Sequence, residues 1–81
     1  MNEEEIIKII LRKLVYLGKW GGSHTSIDNV PKGFPKEIRG RVKEVARELI
    51  KRELLLSKPT SYGLEVSLNP GKKKEIEDQT S

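Results

Sequence analysis

The stretch Pro35-Lys36-Glu37-Ile38-Arg39-Gly40-Arg41-Val42-Lys43-Glu44-Val45-Ala46-Arg47-Glu48-Leu49-Ile50-Lys51-Arg52-Glu53 decides how the rest of the chain is read. Ile38, Val42, Val45, Ala46, Leu49 and Ile50 recur at three- and four-residue steps, forming one apolar stripe at helical period. Pro35 suits the first helical turn, where a missing N–H leaves nothing unsatisfied. The spacing therefore predicts a helix over residues 35–53. Wound at about 100° per residue, Lys36, Gly40, Lys43, Arg47 and Lys51 fall opposite the stripe, with Arg39 at its edge. Glu37, Glu44 and Glu48 lie to one side of that line. One face suits burial, and the other is a mostly basic ridge notched by a glycine. Such a ridge is either a solvated surface or a set of phosphate contacts, and the rest of the chain has to separate the two.

Composition narrows the choice. A chain of 81 residues makes one small domain, which buries only about 60–65% of its unfolded surface. There is no cysteine and only one histidine, so neither a disulfide scaffold nor a thiolate metal site is available, and no cofactor is expected. No apolar run approaches the roughly 18 residues of a membrane span, and the acidic N-terminus is unlike a signal peptide. A soluble, cytoplasmic protein with no membrane partner is expected. Lysine and arginine number 16 against 12 acids, for a net charge of +4, an excess compatible with nucleic acid. Heavy use of Glu, Lys, Arg and Ile resembles thermophile compositions.

Upstream, Asn2 and Glu5 have capping-box spacing. Ile6, Ile10, Leu14 and Leu17 form a stripe that Ile7, Leu11 and Val15 widen, predicting a helix over residues 3–17 packed on two neighbours and closed by Gly18. Trp20, next to Gly21 and Gly22, reads more simply as a core plug than as a base-stacking platform. Thr25 and Asp28 have a second box-like spacing that opens a short helical turn over residues 26–31, limited by Pro31 and Lys32-Gly33. His24 lacks a partner for catalysis or ligation. Downstream, Leu54 to Lys58 and Leu64 to Leu68 flank the turn residues Pro59 to Gly63; the alternation in the second segment predicts a hairpin. Residues 71–81 read as a polar, mobile tail behind a domain of residues 1–70.

Lys19-Trp20-Gly21-Gly22, His24-Thr25, Gly33-Phe34-Pro35, Lys58-Pro59-Thr60-Ser61-Tyr62-Gly63 and Val66-Ser67-Leu68-Asn69-Pro70 resemble a group of small archaeal winged helix-turn-helix domains over roughly residues 3–70. The resemblance implies an α+β fold, mainly α, with three helices followed by a two-stranded β-hairpin wing. Pro31 departs from it, interrupting the turn where a second helix would run on. In such proteins the third helix enters the major groove while the wing touches the backbone. Residue by residue, this implies DNA contacts from Lys36, Arg39, Lys43 and Arg47, with Gly40 among them, and from Lys58, Thr60, Ser61 and Tyr62 on the wing. Thr25 and Ser26, at the start of the second helix, would meet a phosphate through exposed N–H groups.

The expected partner is double-stranded DNA, and the simplest role a small transcription regulator. The rival is a module that binds protein or RNA, since a fold does not fix function and the acids at 37, 44 and 48 flank the ridge. No nucleophile–base constellation and no phosphate-cradling glycine loop is present, so no enzyme is expected.

Overall fold

Helix α1 (Glu3–Tyr16) starts on its predicted box in the computed structural model, which describes every residue from Met1 to Ser81. The Asn2 side chain accepts from the Glu5 N–H at 2.8 Å, and the Glu5 carboxylate accepts from the Asn2 N–H at 3.1 Å. Both donors would otherwise be orphans of the first turn. The helix ends where Gly18 turns left-handed at φ 68°. Its N–H bonds the Val15 carbonyl while the Lys19 N–H bonds that of Leu14, the paired closure of a Schellman motif.

A short strand β1 (Thr25–Ser26) follows, then a 3-10 turn at Ile27–Asn29. A second 3-10 turn at Lys36–Ile38 leads into α2 (Arg39–Lys51). The long helix thus begins four residues later than its stripe suggested. Pro35 is extended (ψ 143°) rather than helical, and no side chain caps the entry, so the chain tightens through i→i+3 bonds first. At the far end Glu53 occupies the left-handed position at φ 63°, and its N–H and that of Leu54 bond the Ile50 and Leu49 carbonyls. This is the same closure that α1 uses, with glutamate where glycine is usual.

Strands β2 (Leu55–Thr60) and β3 (Gly63–Leu68) pair antiparallel, from Leu55 opposite Leu68 to Thr60 opposite Gly63. The turn is thus only Ser61-Tyr62, tighter than the five residues of turn composition. Thr60 clasps it, donating from its hydroxyl to the Gly63 carbonyl at 2.7 Å and accepting from the Tyr62 N–H. On its other side β3 pairs with β1, so the sheet runs β1-β3-β2. Trp20 bridges the end of β3 beside Leu68 and packs half-buried against the core, as a plug would. After β3 come a 3-10 turn (Pro70–Lys72) and helix α3 (Lys73–Thr80).

Three corrections follow. The expected architecture of three helices and then a two-stranded hairpin wing is overturned by this order: the sheet has three strands, and one of the three helices comes after the hairpin. The predicted second helix is only a 3-10 turn, since Pro31, with no N–H, cannot donate into a longer helical ladder. Residues 71–81 are not a mobile tail. Asn69 stops β3 by accepting from the Gly71 N–H, and α3 then docks by Ile76, which is completely buried. Arg12 secures the end of α3, its Nε donating to the Thr80 carbonyl at 2.8 Å.

The core is one cluster of 17 buried apolar residues drawn from the three helices, β2, β3, the Ile27–Asn29 turn and the loops between them. Ile6, Ile10, Leu11 and Leu14 of α1 lie inside it, between α2 and α3. Ile76→Ala should lower unfolding stability by about 2–5 kcal/mol, a buried-isoleucine cost. A urea melt that moves by less than about 0.5 kcal/mol would show that α3 is not held there. Glu53→Gly should raise stability by about 0.5–1 kcal/mol by relieving the left-handed strain, seen as a higher Tm; an unchanged or lower Tm would mean the Glu53 side chain offsets its backbone.

Candidate nucleic-acid interface

The exposed side of α2 is held in place by the loop before it. Arg39, at the first position of α2, donates from Nε to the Phe34 carbonyl at 2.9 Å, and Phe34 is buried in the core. The guanidinium therefore starts from a fixed base. Lys36 stands exposed on the preceding 3-10 turn rather than on α2 itself, and Arg47 is exposed one turn beyond Lys43. Gly40 is exposed as well, and a Cβ built on it meets no atom within 4 Å. Packing within the molecule does not require a glycine there.

Lys43 is engaged. Its Nζ donates to Asp28 Oδ1 at 2.6 Å, across 15 residues of sequence. The Asp28 carboxyl is held below the usual aspartate range, first by that hydrogen bond and then by the charge of Lys43, which prevail over desolvation, with lesser help from the charges of Arg47 and Lys32. Lys43 thus pairs with one carboxylate that also lies within the fields of Lys32 and Arg47, and Lys36, Arg39 and Gly40 lie on the same segment of chain. Asp28 and Lys32 were not singled out in the sequence. Asp28 reads there as a cap-box residue, and no local spacing signals a partner fifteen positions away.

The turn that carries Asp28 is pinned from below. Lys13 of α1 reaches up to give Nζ to the Asn29 carbonyl at 2.7 Å and the Lys32 carbonyl at 2.9 Å. Burial, and then the charge of Lys32, push its pKa below the usual lysine value. The two carbonyl acceptors work the other way, because their hydrogen bonds are stronger to the charged ammonium than to the neutral amine. Ser26 caps the turn by accepting from the Asp28 N–H, and Thr25 Oγ1 accepts from Asn29 Nδ2. Thr25 and Ser26 are strand residues opposite Val66 and Glu65, and the element after them is three residues long. The helix N-terminus expected to meet a phosphate there is absent, and both hydroxyls are already used as acceptors within the fold.

On the hairpin, Lys58 is exposed opposite Glu65, and Ser61 and Tyr62 form the tip, with Tyr62 99% exposed. Thr60 is spent on the clasp. No hydrogen bond or ion pair joins the tip to the α2 cluster, so the expected site residues fall into two groups. The widest groove, about 510 Å³ between Glu4, Lys8, Arg52 and Asp78, is open and has a single apolar lining residue, unlike the mostly apolar clefts that hold small ligands. No three His, Cys, Asp or Glu side chains are grouped to hold a metal ion. No helix is long and apolar enough to cross a membrane. Comparison with protein-family models, with curated proteins and with solved structures finds no match, so a functional reading of this face stands on its geometry.

Proposed function

We propose that this chain binds double-stranded DNA with the exposed face of α2 and the turns before it, using Lys36, Arg39, Lys43 and Arg47, joined by Lys32. The observation that carries the reading is a run of cations on one exposed face, flanking a glycine that the fold itself does not need. Phosphates call for cations and donors, while base edges call for side chains on a helix face turned away from the core. Both requirements fall on one segment. The hairpin tip, with Lys58, Ser61 and Tyr62, would supply a second, backbone-directed contact. A domain of net charge +4 has the sign for such a partner.

A second reading, docking on a protein or on RNA, is favoured by one observation: a carboxylate, Asp28, stands in the middle of the basic cluster. Salt separates the two. If about four phosphates are neutralised, raising salt from about 50 to about 200 mM should weaken binding to a labelled random duplex roughly 10²-fold, because condensed counterions are released on binding. No binding at the lower salt, or a flat response, would reject the DNA reading. Tighter binding to single-stranded RNA of equal length would move the partner to RNA.

Gly40→Ala tests the groove-facing side of the proposal. Stability should rise by about 1 kcal/mol, since alanine is the better helix former and the methyl meets nothing in the protein. Duplex affinity should fall, because the methyl stands where the duplex comes close. A stabilised variant that binds as tightly as its parent would mean that DNA does not approach α2 at Gly40.

A further inference from the structure

We infer that Asp28 is a built-in competitor for the phosphate backbone, holding Lys43 in the free protein and keeping sequence-independent DNA binding weak. The inference rests on the DNA reading of the α2 face and adds a residue that works against affinity.

Three observations carry it. The first is position: the carboxylate is exposed and central, hydrogen-bonded to Lys43 at 2.6 Å and close enough to Lys32 and Arg47 to feel both charges. A phosphate arriving at Lys43 must take the place of that carboxylate or lie beside it. The second is rigidity. Asp28 cannot simply swing away with its backbone, because Ser26 caps its N–H and Lys13 ties down the carbonyls of Asn29 and Lys32 on the same turn. The third is the lack of a structural need. An exposed ion pair contributes little to stability, and the turn is already capped and pinned without the Asp28 side chain.

The magnitudes favour repulsion as the working effect. Breaking an exposed pair is cheap, whereas setting a fixed carboxylate against a phosphate is a like-charge contact, the kind that suppresses wrong partners at interfaces. Paired with Asp28, Lys43 contributes less to binding than a free cation in the same place would. With the carboxylate removed, Lys43 becomes a free cation facing the duplex and should release one more counterion on binding, steepening the salt slope by about 0.9.

The test titrates a labelled random duplex with the intact protein and with Asp28→Asn, Lys43→Gln and the double variant, each over a salt series. Asp28→Asn keeps size and hydrogen-bonding capacity and loses only the charge. It should bind about tenfold tighter with a slope steeper by about 0.9, and the gain should vanish in the Lys43→Gln background. A thermal melt of each variant, with Asp28→Ser as a second uncharged replacement, identifies any change that comes from folding.

If the parent binds duplex and neither uncharged variant binds tighter, the competitor role is overturned while the DNA reading stands. A gain that persists without Lys43 would also overturn it, since the carboxylate would then act without the lysine. If the parent does not bind, the DNA reading itself fails and this inference with it.

Discussion

The whole structure depends on α1 having two faces to bury. Ile6, Ile10, Leu11 and Leu14 are almost completely withdrawn from water, and α2 alone does not cover them. With so small a chain, each core residue carries a large share of the stability, and a helix with a broad apolar surface needs a second neighbour. That neighbour is α3, eight residues anchored by Ile76, with its end tied to α1 by Arg12. The charged C-terminal segment is therefore part of the domain. Asn69 makes this possible: its backbone N–H and its side-chain amide reach back to the carbonyls of Leu54 and Glu53, while its Oδ1 turns the chain toward α3.

The same helix also organises the candidate interface, from its polar side. Lys13 sits on α1 one position before the buried Leu14, yet its ammonium ends on two carbonyls of the loop that precedes α2. Pro31 cannot extend that turn into a longer helix, and the Lys13 ammonium holds the loop instead, adding a second donor to the Asn29 carbonyl and bonding that of Lys32. The position of Asp28, and so the company Lys43 keeps, follows from how α1 holds that turn.

Much of this was legible in the sequence wherever periodicity or capping chemistry acts locally. The Asn2–Glu5 box, the Gly18 closure and the Val42, Val45, Ala46 and Leu49 part of the α2 stripe appear as read, while the hairpin pairs over more residues and turns more tightly than its composition suggested. What was missed is what depends on distance along the chain. Thr25 and Ser26 show no strand periodicity because two residues are too few to carry one; they become a strand only because β3 offers them an edge. Ile76 is one apolar residue among charges, a pattern shared by mobile tails and by short docked helices, and only the uncovered side of α1 distinguishes them. In the candidate site the exposed cations of α2 were legible by winding the helix. Asp28 and Lys13 were not, because each acts on residues at least fifteen positions away.

Two places in this fold carry a local backbone cost, and they differ in a way that bears on function. Glu53 sits at a left-handed position at the joint between α2 and β2, where its carbonyl receives the Asn69 amide. The strain there belongs to the turn that sends the chain from helix to sheet, so folding alone accounts for it. Gly40 has no such account. It has ordinary helical geometry, open space around it and no neighbour that its smallness admits, yet it weakens the first turns of a helix that already lacks a side-chain cap. A helix compromised at its uncapped end, on the face where its cations gather, gains nothing within the molecule. Under the proposed DNA reading the missing side chain admits the close approach of the duplex; otherwise Gly40 is a weak helix former that the rest of the core tolerates.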